Sequence, residues 1–215
     1  MTVASVPDSI MLRLRSDTRA HHDAAENTLF QRRLMAGSLP LDRYVESLAQ
    51  LLPVHRALDA QLRRAAEHAP VAAVVRERHY QEPYLLEDLA WFQRDPDRIE
   101  ASPAARDMVA SIERAAAGNP LAILGFHYVI EGSKNGGKIL AERVRAAYDL
   151  PPGRGTRYLD PYGDSQRPWW AEFRAAMDGL KLTPDQAAAI LSAARACFDG
   201  ITRLYQSLLP DEPVA

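Results

Sequence analysis

Cysteine occurs once in the 215 residues, at Cys197, so no internal disulfide can staple the fold. The opening MTVASVPDSIMLRLRSD lacks a basic end followed by an apolar stretch, and the chain is expected in the cytoplasm. An excess of positive charge is missing as well: 26 Lys+Arg stand against 28 Asp+Glu, a formal net charge of -2. That balance argues against the broad cationic field of a surface for nucleic acid or anionic membrane. Long apolar runs are absent. The longest, Leu121 to Ile130, is interrupted by Gly125 and His127 and falls far short of the roughly 20 residues of a membrane span. There is no Cys-x-x-Cys, Walker loop, Gly-x-Gly-x-x-Gly or Gly-x-Ser-x-Gly, which removes the common zinc, nucleotide and hydrolase sites. Without a Glu-x-x-His pair the two-metal carboxylate site of ferritin-like bundles lacks its ligands.

What remains is 47% apolar residues arranged at helical spacing, with neither period-2 strand patterns nor internal repeats. Ser9 is placed to cap a helix running to Phe30, and Pro40 opens a long one. On that second helix Tyr44, Leu48, Leu51, Leu52, His55, Leu58 and Leu62 share a face, and Pro53 should kink it. Further helices are expected over 71–80, 82–94, from Ser102-Pro103 to Gly118-Asn119, and from Pro120 to Tyr148. Residues 151–168, with four prolines and three glycines, read as loop. Trp169 to Leu180 forms the next helix, and Thr183-Pro184-Asp185-Gln186 is a capping box for the last, to about Leu209. The fold class is all-α: a single domain of about eight helices over 1–215, with 1–8 and 210–215 as flexible ends.

Two features concentrate chemistry. The segment Gly132-Ser133-Lys134-Asn135-Gly136-Gly137 places three glycines inside a helix, at a cost of about 3 kcal/mol relative to alanine. Gly132 and Gly136 fall on one face, with Gly125 nearer the start, and strip side chains from a band of backbone. Such a band admits something flat; close helix packing or a kink would equally explain it. The second feature is Arg15, Thr18, Arg19, His21, His22 and Glu26. Both histidines straddle the apolar face, but His22 lies on the side leading to Arg15 and Arg19. Glu26, one turn on, is placed to orient a metal-bound His22. A solvated histidine with arginines in surface pairs is the plainer alternative.

The other candidates read as structural. Cys197, His55 and His127 suit core positions, and Trp91, Trp169 and Trp170 suit packing, with the last two, at the end of the loop, also placed to line its cover.

At these residues the chain resembles the heme oxygenase family, in order, from about Leu12 to Leu209. Thr18-Arg-Ala-His-His22-Asp-Ala-Ala25-Glu26-Asn27 is similar to the family's proximal helix. The resemblance makes His22, not His21, the ligand of heme iron and Glu26 its hydrogen-bonding carboxylate, with Arg15 and Arg19 at basic positions facing the heme edge. Glu131 to Gly137 resembles the distal helix, whose glycines lie against the heme face, so that Gly132 and Gly136 form the distal wall. Phe173-Arg174 resembles the segment whose arginine pairs a heme propionate; Phe198 matches an aromatic of the pocket, and Asp88 to Phe92 matches a structural segment. Ser133 stands where several members carry a distal aspartate; a hydroxyl orders water but supplies no negative charge. His55 stands where relatives have a tyrosine.

The resemblance implies a heme oxygenase-like helical bundle. It also implies oxygen-dependent cleavage of heme to biliverdin, carbon monoxide and ferrous iron. Heme serves as substrate and cofactor, molecular oxygen as co-substrate, and Ser133 takes part of the distal role. Electrons come from an external donor such as a ferredoxin or flavin reductase, since no flavin or nicotinamide motif is present. Two alternatives stand beside it: a heme-binding or heme-transfer protein without turnover, and a non-heme member of the same superfamily, such as a thiamin-degrading type.

Overall fold

Thr18 divides the amino-terminal helix that periodicity alone predicts as one. Its hydroxyl donates to Leu14 O at 2.7 Å, diverting the chain from regular helix, and Asn27-Thr28 makes a second break. The structure, a computed structural model, describes residues 9–210. The expected loose ends, apart from Pro210, lie outside the described residues.

The stretch from Ser9 therefore becomes α1 (Ile10–Asp17), α2 (Arg19–Glu26) and α3 (Leu29–Met35), capped by the side chains of Ser9 and Thr28 at α1 and α3. Next come α4 (Leu41–Ala65), which runs through Pro53, α5 (Ala69–Val74) and α6 (Glu82–Trp91). After them follow α7 (Pro103–Gly118), α8 (Ile123–Tyr148), α9 (Gln166–Asp178) and α10 (Pro184–Leu208). Eight expected helices become ten because the first is three; among the described residues there is no strand. The helix expected over 71–80 shortens to α5 followed by a 3-10 turn at Glu77–His79. No helix among the described residues is long and apolar enough to cross a membrane.

Ser102 caps α7, and Thr183 with Gln186 forms the capping box of α10, as the sequence predicts. Helix α9 starts three residues before the expected Trp169. Pro168 sits in its first turn, where the missing N–H has no helical partner to lose. All seven residues of the predicted apolar face of α4 are buried.

Helices α8 and α10 form the centre of the bundle, with α4 packed on α6 and α7. A Cβ on Gly125 would come within 2.1 Å of Ile190 O and 2.7 Å of Ala194 N, so α8 and α10 cross in backbone contact. The segment 151–162 is irregular but fixed. Both carboxylate oxygens of Asp88 accept backbone N–H bonds at 2.8 Å, from Arg157 and Tyr158, and Tyr44 donates to Gly155 O at 2.7 Å. Asp88 thus has the structural part expected of it. Trp91, expected in the core, is instead 41% exposed with Arg154 over its ring, because α6 ends there at the surface.

Candidate functional site

Helix α2 is short because both its ends are broken, and it presents two consecutive histidines to different surroundings. His21 Nδ1 lies 2.6 Å from Asp199 Oδ1 on α10. His22 is half exposed; its ring stands edge-on to Phe198 at 5.6 Å, with Nε2 3.5 Å from Glu26 Oε1 and Nδ1 3.6 Å from Asp23 Oδ1. Neither distance closes a hydrogen bond, so the ring nitrogens of His22 remain available while that of His21 is engaged.

Helices α2 and α8 both pack on α10 without substantial contact between them. The glycines of α8 divide in two by what surrounds them. Gly125 and Gly137 are packing glycines: a Cβ on Gly137 would sit 1.9 Å from Leu159 O. Gly136 would meet nothing within 4 Å, and Gly132 only the Trp170 ring at 3.7 Å. Packing thus explains Gly125 and Gly137, whereas among the described residues Gly136 faces open space and Gly132 has the Trp170 ring beside it. Ile139, two turns beyond Gly132 on the same face, is 57% exposed. Tyr128, one turn before Gly132, meets the Thr18 hydroxyl where α1 joins α2, which turns the band toward the histidine helix.

Cations stand on the neighbouring helices α1, α2 and α9. Arg15 and Arg19 line an open hollow of about 550 Å3 with Leu12, Arg13 and Ser16. Arg19 is 3.9 Å from Asp23, whereas Arg15 and Arg174 form no ion pair among the described residues. Arg174 is exposed on α9, one turn after Trp170 on the same face. Ser133 is exposed, and its hydroxyl donates to Ile130 O at 2.7 Å, leaving its oxygen lone pairs to accept from water.

Sequence reasoning missed the ionisable groups packed on the other side of α8. At about 100° per residue, His127, Glu131 and Lys134 fall away from Gly132 and Gly136. Lys134 Nζ donates to Tyr158 O at 2.7 Å and lies 3.5 Å above the Tyr158 ring; burial lowers its pKa to about 7. Glu131 accepts from the Tyr162 hydroxyl at 3.0 Å, and burial pushes its carboxyl up to about 7. His127 Nε2 lies 3.0 Å from His79 Nδ1, which also accepts the Arg76 N–H at 3.1 Å. That double acceptance assigns the tautomers: His127 donates through Nε2, and His79 carries its proton on Nε2, 3.9 Å from Glu131. Burial lowers both rings, to about 3 and about 2, and His55, bonded to the Tyr158 hydroxyl at 2.8 Å, to about 3. His55 and His127 are core histidines, and Cys197 is a buried thiol raised by desolvation. A signal for this cluster did exist: Glu131 directly follows the apolar run from Leu121, and Lys134 follows within a turn.

Among the described residues no three His, Cys, Asp or Glu side chains converge to hold a metal ion. The exposed ring of His22, the bare band and the unpaired arginines fit a flat, metal-centred ligand with anionic edges.

The chain is similar to known proteins over nearly its whole length. The sequence model of the heme oxygenase family matches residues 8–207. Human heme oxygenase 1 is 26% identical over 211 residues, which cover 95% of this chain and 73% of the human protein. Heme oxygenase of Guillardia theta is 23% identical over 205 residues, 94% of this chain and 86% of the relative. The solved heme oxygenase of Leptospira interrogans matches with a TM-score of 0.87 at 26% identity, covering 93% of this chain and 99% of that one. Heme oxygenase-1 of Synechocystis sp. PCC6803, solved in complex with heme, also gives 0.87, at 21% identity over 94% and 92% of the two chains. With the family match spanning almost every described residue and the ten helices arranged as in those structures, the chain belongs to the heme oxygenase family.

Proposed function

We propose that this protein binds heme between α2 and α8 and cleaves it, with molecular oxygen and external electrons, to biliverdin, carbon monoxide and ferrous iron. The observation that carries this reading is the side-chain-free band at Gly132 and Gly136, turned toward a helix whose exposed histidine has no firm hydrogen bond. When bound, heme supplies the iron at which oxygen is activated, and its own ring is the one opened.

The remaining work falls to the chain. His22 would supply the nitrogen that binds the iron, and Glu26, 3.5 Å from the ring, would orient the imidazole by accepting the proton of its other nitrogen. Phe198 braces the ring edge and keeps that side apolar. Gly132 and Gly136 let the backbone of α8 approach the opposite face, which excludes bulk water there. Arg15, Arg19 and Arg174 pair the two carboxylates. Ser133 orders water at the distal wall through its free lone pairs. Electrons enter from a separate protein such as a ferredoxin or flavin reductase. The same reading places the reaction in the cytoplasm.

The test is the absorption spectrum of the protein titrated with hemin and then followed in air with an electron donor and catalase. A one-to-one histidine-ligated complex that converts to biliverdin is the expected result. One observation favours a second reading, heme binding or transfer without turnover: Ser133 brings no carboxylate to the distal wall and spends its proton on Ile130 O. A complex that persists under these conditions would replace the first reading with the second, and no complex would remove both.

A further inference from the structure

Trp169 and Trp170 are adjacent in α9 and face different surroundings. Trp169 is the anchor: the Arg78 guanidinium lies 4.7 Å above its ring, and the Tyr162 ring meets it edge-on at 5.2 Å. Arg76 and Arg78 both pair with Glu172 one turn later, fixing this end of α9 against the 3-10 turn at Glu77–His79. With α9 held from behind, Trp170 is directed toward α8. Among the described residues outside α8 itself, its ring alone comes within 4 Å of the point where a Gly132 Cβ would be, with Cη2 at 3.7 Å. The ring is stacked on Phe173 at 5.3 Å with 11° between planes and tilted against Tyr128 at 6.2 Å. Phe173 is 1% exposed and packs edge-on to both His79 and His127. Trp170 therefore stands at one edge of the bare band as a rigid upright plate, backed by core.

We infer that Trp170 is a specificity-determining residue: the wall against which the porphyrin edge stops, fixing its rotation in the plane and so which meso carbon is presented to the distal side. A flat ligand lying on Gly132 and Gly136 with one axial bond to His22 can still turn about that bond. Exposed arginines hold carboxylates weakly and through flexible arms. An indole braced on a buried phenylalanine does not yield, because displacing it disturbs a close-packed core. Arg174, one turn further along the same face, then sits beyond the wall at the carboxylate edge. This inference rests on the proposed heme site.

The experiment is proton NMR of the one-to-one hemin complex in its low-spin, cyanide-ligated ferric form, whose shifted heme methyl resonances report the angle between porphyrin and axial imidazole. The parent protein should show one in-plane orientation, with only the paired sets that turning the asymmetric heme over produces. Trp170→Ala and Trp170→Leu should each add a further set of comparable intensity from a rotated ring, and Trp170→Phe, which keeps the stack on Phe173, should not. Biliverdin isomers should become mixed in the same two variants. Unchanged methyl patterns in both truncations, with hemin still bound through histidine, would overturn this inference and leave the heme site standing. Leucine preserves apolar volume if the alanine variant fails to fold. Failure of the parent protein to bind hemin would overturn both.

Discussion

His21 and His22 are consecutive residues of one short helix, yet the first is held 2.6 Å from Asp199 and the second stands clear with its ring edge against Phe198. Consecutive residues of a helix point about 100° apart, so on α10 His21 meets the Asp199 carboxylate while His22 meets only the Phe198 ring and keeps its nitrogens open. Replacing His22 with alanine should abolish the histidine-ligated spectrum of added hemin and stop turnover. His21→Ala should keep both and cost stability through the lost Asp199 contact. Equal spectral loss in the two variants would remove His22 from its assigned role.

The two kinds of glycine in α8 should separate under substitution. Gly125→Ala and Gly137→Ala drive a methyl into carbonyl oxygens of Ile190 and Leu159, and each should lower stability by about 1–3 kcal/mol or more. Gly136→Ala meets open space and should raise stability by up to about 1 kcal/mol through helix propensity. With a porphyrin on the band, that same stabilised variant should bind hemin more weakly. Urea unfolding and hemin titration of the three proteins give the answer, and tighter hemin binding by Gly136→Ala would argue against a ligand lying there.

Loss of the exposed cations should be felt in binding more than in folding. Arg15→Ala and Arg174→Ala break no ion pair among the described residues, so their thermal midpoints should stay near that of the parent. Hemin affinity should fall by about two- to fivefold for each, the effect of an exposed pair near 0.5–1 kcal/mol. The fall should shrink at high salt. Affinity unaltered in both at low ionic strength would count against carboxylate pairing.

The buried face of α8 predicts a pH effect whose sign can be worked out. Burial raises Glu131 from 4.5 to about 7, so the folded protein keeps a proton that the unfolded chain gives up. Its contribution to stability is complete below pH 4.5 and is lost as pH rises through about 7. His55, His79 and His127 act the opposite way, having been lowered from 6.5 to between about 2 and about 3, and lose stability as pH falls below 6.5. The parent profile mixes these opposing contributions, and the difference from Glu131→Gln isolates the carboxyl. The advantage of that variant should grow between pH 4.5 and 7, on the order of 1–3 kcal/mol. Lys134, freed of its acidic neighbour, shifts lower and adds to the same trend. Parallel unfolding profiles would show that Glu131 is not desolvated in solution.

Helix positions could be read from the sequence wherever a cap and a periodic face agreed. Ser102, Thr183 with Gln186, and the seven-residue face of α4 are examples. The first segment misled because Thr18 and Thr28 also fit a helix interior by spacing, and only their side-chain hydrogen bonds end the turns there. At the candidate site, the glycine band and the His22–Glu26 spacing stood out because they follow helical period. The role of each glycine did not, since it depends on what crosses α8 from Ile190 or Leu159, far away in the chain. The Glu131–Lys134 face was hidden for the same reason, since its partners come from other elements, and for Trp170 the sequence suggested a covering place but not the stack on Phe173 that fixes it.

Helix α8 resembles a beam resting on two unlike supports. At Gly125 and Gly137, about 18 Å apart along its axis, it is pinned by shape, backbone against backbone. The span between them leans on Glu131 and Lys134, whose hold depends on protons. A change of acidity therefore leaves the pins untouched and slackens only the span, which is the part of the beam bearing the open band.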